Sequence, residues 1–288
     1  MSASAQAARV AILAGGGRLP ELVTAAALRQ GRAPVVFAIA GEAEPQSFAP
    51  APVHVVRWGE IGRLFRLTEE SGCHEAVLVG SISRRPDYNT IRPDFGAVKL
   101  IPRILKLMTS RDASLLAGVA RIIEENGMRV VSPLAIAPEL ALTEGVLTGA
   151  VSDESKRDIE VAREAAREVG SLDIAQGAVA VGGPVVAVED AGGTDALLER
   201  VALLRRAGTI AKAGGVLVKC LKPQQDGRHD LPTIGPHTAL GAARAGLAGV
   251  AAEAGRAILV GREETIDAFR SAGLFLFGFA QTPQSGHG

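Results

Sequence analysis

Two cysteines, one tryptophan and one tyrosine are all that 288 residues carry of those types. Cys73 and Cys220 stand far apart with no paired spacing, which argues against a disulfide framework or a structural zinc site and fits a reducing compartment. An aromatic content of 3% gives poor support for stacking nucleic-acid bases. Charge of neither sign is in excess, with 31 basic and 31 acidic side chains, whereas a nucleic-acid binder ordinarily presents a basic face. The histidines at 54, 74, 229, 237 and 287 include no ligand-spaced pair on one helix, which argues against a zinc hydrolase. No Gly-x-Ser-x-Gly elbow occurs, so a serine-type triad lacks support. No apolar stretch reaches the roughly 18 residues of a membrane span, and Met1 to Ala8 lack a basic region followed by an apolar core. These absences predict a cytoplasmic protein that binds no nucleic acid, and they leave room for peripheral contact with a membrane surface.

What the chain has in quantity is apolar residues, at 47%, and glycine, at 34 positions, enough for two medium globular domains. Val10 to Leu13 reads as a strand, Gly15-Gly16-Gly17 breaks it, Pro20 fits a first helical turn, and Glu21 to Gln30 is helix-prone. Val35 to Ile39 then gives a second strand, completing a right-handed parallel unit with its glycine turn at the carboxyl end of the first strand. A helix over Ile61 to Glu70 capped by Gly72, a strand over Ala76 to Val79, a helix over Asp112 to Asn126 and a strand over Met128 to Val131 extend the pattern. Periodicity weakens from Pro133 to Ser152, which predicts a boundary there. The expected architecture is α/β: a Rossmann-like parallel-sheet domain over 1–138 and a distinct mixed α/β domain over 139–288. In the second half the pattern predicts a helix over Glu154 to Val169 with Gly170 as a left-handed stop, and a hairpin about Gly182-Gly183-Pro184. A helix capped by Thr194 follows, with further apolar runs at Val216 to Val218, Ala257 to Val260 and Leu274 to Phe279.

Three stretches carry chemistry. Gly15, Gly16 and Gly17 precede a helix start and admit the torsions that let amides approach a phosphate, but the third glycine of a dinucleotide fingerprint is missing. A phosphate cradle and a tight structural turn both remain open at this point. Gly80 to Asp87 follows a strand, so its Ser83, Arg84 and Arg85 belong at the same end of a parallel sheet, where guanidiniums suit a phosphate and where the other reading is a solvated loop. Lys219 to Asp230 is the densest cluster, holding Lys219, Lys222, Asp226, Arg228, His229 and Asp230. Aspartates suit magnesium, which takes one or two protein carboxylates together with substrate phosphates. The bland reading is an exposed polar loop.

Over nearly its whole length the chain resembles the LpxI-type UDP-2,3-diacylglucosamine pyrophosphatases of lipid A biosynthesis. The likeness rests on Leu13 to Pro20, the Ser83-Arg84 loop, Gly170 to Gly177, Gly193-Thr194-Asp195-Ala196, Val216 to Lys219 with Lys222-Pro223, and most strongly Asp230-Leu231-Pro232-Thr233-Ile234-Gly235. Departures from the family pattern fall at Arg111, Ala175, Gly192 and His229. The resemblance implies metal-dependent hydrolysis of UDP-2,3-diacylglucosamine to UMP and 2,3-diacylglucosamine 1-phosphate, an active site between the two domains, and a homodimer. It makes Asp230 the essential residue, holding Mg²⁺ with Asp226 or Asp195, while Lys219, Lys222 and Arg84 balance phosphoryl charge. Gly15 to Gly17, Ser83, Gln176, Thr194, Asp195 and Thr233 complete the expected binding set. A nicotinamide-dependent oxidoreductase and a nucleotide-sugar sensor without turnover are the rival readings.

Overall fold

The computed structural model describes residues 8–82, 94, 115–172, 175–190, 192–222, 227–228 and 230–281. Its contacts divide the chain into two units, Met1–Pro138 with Arg228–Asp230, and Glu139–Gly227 with Leu231–Gly288. The segment about Asp230, expected within the C-terminal domain, therefore divides: Asp230 groups with the first unit and Leu231 onward with the second.

The first unit runs β1 (Arg9–Ala14), α1 (Leu19–Arg29), β2 (Ala33–Ile39), β3 (Val53–Val56), α2 (Ile61–Glu70), β4 (Glu75–Val79), α3 (Leu115–Glu125), β5 (Arg129–Val130) and the single turn α4 (Pro133–Ile136). Its five strands pair in parallel in the order β3-β2-β1-β4-β5. β1 and β4 are near-continuous apolar runs because both faces of a parallel sheet are covered. One face packs Ala11, Leu13, Val35, Phe37, Ala76 and Leu78 against Ile123 and Met128. Burying each large apolar side chain contributes about 1.5–3 kcal/mol. Pro20 occupies the first turn of α1, and the Thr24 hydroxyl donates back to the Pro20 carbonyl at 2.8 Å. The strand β3, which the periodicity did not indicate, lies at one side of the sheet, where His54 stacks on Phe37 with ring centroids 5.5 Å apart.

The second unit comprises β6 (Gly145–Thr148), α5 (Asp153–Ser171), β7 (Gly177–Ala180), β8 (Val185–Val188), α6 (Gly193–Arg206), β9 (Val216–Lys219), β10 (Thr233–Ile234), α7 (Pro236–Arg244), β11 (Gly249–Glu253), β12 (Ile258–Leu259), α8 (Arg262–Ser271) and β13 (Phe275–Phe279). Six strands form a mixed sheet in the order β6-β13-β11-β9-β7-β8, and β10 pairs with β12. β9, β11 and β13 are parallel, whereas β6 and β7 run against their neighbours and β8 against β7. The period of two splits the strands between two cores. Val179, Leu217, Val250 and Leu276 meet Leu197, Val201, Ala239, Ala242 and Phe269 of α6, α7 and α8 on one face. Ala178, Val216, Val218 and Ala251 meet Ile159, Ala162 and Ala166 of α5 on the other.

Two expected stops fall differently. Gly170 is buried inside the last turn of α5, which continues to Ser171, and is not among the glycines of positive φ. Thr194 does not cap α6; it lies within the first turn, after Gly192 at the N-cap, and its hydroxyl is engaged elsewhere. The hairpin joining β7 to β8 forms as expected, held by the buried Asp158, whose carboxylate accepts from the amides of Gly182 at 3.1 Å and Gly183 at 2.7 Å. Among the described residues no helix is long and apolar enough to cross a membrane.

Candidate functional site

The carboxyl end of the first unit's sheet is made of backbone. The Gly15 amide donates to the Val79 carbonyl at 2.8 Å, the Gly16 amide to Ser81 at 2.7 Å, and Ser81 returns a bond to Gly16 at 2.9 Å. A Cβ on Gly15 would stand 2.5 Å from the Ser81 carbonyl oxygen. Gly80 adopts φ +99°, and a Cβ there would meet Gly15, Gly16 and Pro20 at 2.8 Å. Two of the three glycine amides are thus spent on joining the two loops, and the triplet is a structural turn at least in part. Gly17, exposed at φ +85° with open space around it, is the one that faces outward. Ser83 and Arg84 lie outside the described residues.

The matching end of the second unit's sheet is made of side chains. Lys219 closes β9, only 4% exposed, and its Nζ donates to the Thr233 carbonyl at 3.2 Å. Alternation sets Lys219 on the same face as Leu217, toward α6, α7 and α8. Gly177 is its register partner on β7. Across β7 lies Glu189, 5% exposed, at the end of β8. Its Oε2 accepts from the Gln176 amide at 3.1 Å and its Oε1 from the Thr194 hydroxyl at 2.7 Å. The Gln176 side-chain Oε1 is buried and, among the described residues, has no hydrogen-bond partner. Gln176, Thr194, Lys219 and the Thr233 backbone, dispersed in sequence, are therefore gathered at one sheet end. Sequence reasoning missed Glu189, whose only signal is an acid directly after the run Val185 to Val188.

Other expected residues stand apart from this row. Asp195, next to Thr194, turns to the exposed surface, where its Oδ2 lies 3.4 Å from His237 Nε2 beside a groove of about 540 Å³ between α6 and α7. Asp230 and Lys222 are half-buried, and Asp226 lies outside the described residues. Among the described residues no three His, Cys, Asp or Glu side chains gather as a metal-holding group. By donor type, one or two aspartates such as Asp230 and Asp226 nonetheless fit magnesium completed by waters and phosphate oxygens, and not a closed zinc site. Both cysteines are buried; burial raises the Cys73 thiol and pushes Cys220 up to about 12, which removes them as nucleophiles.

Comparison with known proteins gives a consistent relationship. Residues 9–140 match the LpxI N-terminal domain and residues 143–277 the LpxI C-terminal domain. The UDP-2,3-diacylglucosamine pyrophosphatase LpxI of Caulobacter vibrioides is 40% identical over 274 residues, covering 94% of this chain and 97% of that relative. Among solved structures, the Thermus thermophilus UDP-glucose 4-epimerase complex with NAD covers 95% of this chain and 85% of its own at 13% identity, but a TM-score of 0.32 carries no argument. With both domain models matched in order and a relative of this identity aligned almost end to end, the chain belongs to the LpxI family.

Proposed function

We propose that this protein hydrolyses the diphosphate of UDP-2,3-diacylglucosamine, releasing UMP and 2,3-diacylglucosamine 1-phosphate in lipid A biosynthesis. The near full-length match to a relative of that activity carries the reading. The second unit's sheet end supports it chemically. A buried ammonium at Lys219, where water is largely excluded, stabilises charge building on a phosphoryl oxygen far better than an exposed one would. Gln176, partly buried at the same sheet end, is the amide side chain placed to hydrogen-bond a sugar or ribose hydroxyl. Lys222 adds a cationic contact, with Thr194 and Thr233 lining the bound nucleotide sugar, and Gly17, Ser83 and Arg84 are the first unit's candidates for phosphate contacts.

Asp230 accepts a proton from the attacking water or orients it. With Asp226 it would hold a divalent cation, Mg²⁺ by donor type, which when bound neutralises phosphoryl oxygens and acidifies a water. The parallel order β3-β2-β1-β4-β5 supports reading the first unit as a Rossmann-like nucleotide domain. A substrate with two acyl chains is drawn from lipid, which supports work at the inner face of the cytoplasmic membrane from the cytoplasm, and the family resemblance is what supports a homodimer.

The test is to incubate the purified protein with UDP-2,3-diacylglucosamine and Mg²⁺ and follow UMP. UMP should form, stop on adding a chelator and resume with excess Mg²⁺. Asp230→Ala should lower turnover by about 1,000-fold or more while the melting temperature stays within a few degrees. Tight binding without UMP would replace hydrolysis with a sensor role, and near-normal turnover by folded Asp230→Ala would remove that residue from the chemistry.

A further inference from the structure

A buried carboxylate needs a reason to be retained, since removing it from water costs several kcal/mol unless donors compensate. Glu189 has two, and they come from separate elements. Its Oε2 takes the Gln176 amide in the approach to β7, and its Oε1 takes the Thr194 hydroxyl in the first turn of α6. Its own amide donates to the Gly177 carbonyl at 2.8 Å, which seats the residue directly against β7. The carboxylate lies close over β7, in the range of ordinary contact from a Cβ built on Gly177, 3.4 Å to Glu189 Oε2. The other side of Gln176 is tied as well: its carbonyl accepts from the Cys220 amide at 2.8 Å, one residue after Lys219. The Gln176 backbone is thus clamped between β8 and β9, and only its side chain is left to act.

That side chain is in an unusual state. Among the described residues its buried Oε1 finds no donor, which ordinarily costs about 1–3 kcal/mol, a cost that folded proteins tolerate chiefly at sites of function. We propose that Glu189 is a positioning residue of the hydrolytic site: it aims the Gln176 side chain and fixes the start of α6 at Thr194, so that both meet the substrate beside Lys219. The inference rests on the reading that Gln176 and Thr194 contact the substrate. A carboxylate accepts charge-assisted bonds from both donors at once, whereas glutamine could hold both only through a weaker neutral contact in which the Thr194 hydroxyl turns from donor to acceptor.

The experiment is a mutant cycle on the full-length protein, with KM, kcat and melting temperature measured for Glu189→Gln, Gln176→Ala, Thr194→Val and the Glu189→Gln/Gln176→Ala pair. Glu189→Gln should raise KM about 10-fold with kcat within about threefold, the pattern of lost binding and not of lost chemistry. The double variant should be no worse than Gln176→Ala alone, since a positioning residue has nothing left to position. Wild-type KM in Glu189→Gln, or losses that multiply in the double variant, overturns the proposal. If Glu189→Gln does not fold, Thr194→Val decides, because it deletes one arm of the clamp while keeping the side chain's shape; an unchanged KM there overturns the proposal too. Gln176→Ala with normal kinetics would remove the underlying reading and the proposal with it, whereas impaired Gln176→Ala beside unaffected Glu189→Gln removes the proposal alone.

Discussion

The two units end their sheets in opposite materials. In the first, backbone amides and carbonyls of Gly15, Gly16 and Ser81 tie two loops together, and side chains are excluded by contacts as short as 2.5 Å to a built Cβ. In the second, the corresponding strand ends carry Glu189 and Lys219, both buried, with Gly177 between them. A backbone-built end holds its shape but offers little charge to shift, so it suits gripping. A side-chain end in a dry environment can stabilise a developing charge, so it suits chemistry.

That division of labour can be broken. Lys219→Met keeps most of the stem and removes the amine; kcat/KM for UMP release should fall about 100- to 1,000-fold, measured on a variant that is folded by circular dichroism. Activity above a tenth of normal would end the assignment of chemistry to the second unit. Next in size are two glycine variants of the first unit that sharpen what its turn is for. Gly15→Ala should lose about 1–3 kcal/mol of unfolding free energy in a denaturant titration, because its Cβ collides with the Ser81 carbonyl. Gly17→Ala has open space and only its positive φ to strain, so about 1 kcal/mol is expected. A larger rise in KM for Gly17→Ala than for Gly15→Ala, each measured where the variant is folded, would mark Gly17 as the gripping residue; equal KM values would leave the triplet purely structural. The smallest effect is chemical labelling. With its thiol pushed up to about 12 by burial, Cys220 stays protonated at pH 8, and Cys73 is shifted the same way, so a maleimide should leave the native protein unmodified and turnover unchanged until denaturant is added.

How far the sequence revealed this follows the same contrast. Continuous apolar runs such as Val10 to Leu13 and Ala76 to Val79 give β1 and β4 directly, because a parallel strand covered on both faces has no polar positions to confuse the pattern. Val53 to Val56 and Gly249 to Glu253 are harder: the first is only partly covered, and the second, with Val250 its one strong strand former among glycine, alanine and glutamate, becomes a strand through its neighbours and not through propensity. The glycine triplet announces a tight turn but not that Gly15 and Gly16 spend their amides on Val79 and Ser81. In the second unit, Lys219 stands out beside Lys222, whereas Glu189 resembles any acid at a strand's end. Its role depends on register and burial, since it matters only because β8 lies against β7 and delivers it opposite Gly177.

Arg228 to Asp230 groups with residues 1–138, and the Arg228 guanidinium bonds Glu124 and the Val130 carbonyl there, although the residues on both sides of that tripeptide group with the other unit. A gene broken after codon 138 would therefore strand part of the first domain in the second transcript. Shuffling the first domain into another gene would leave Asp230 behind.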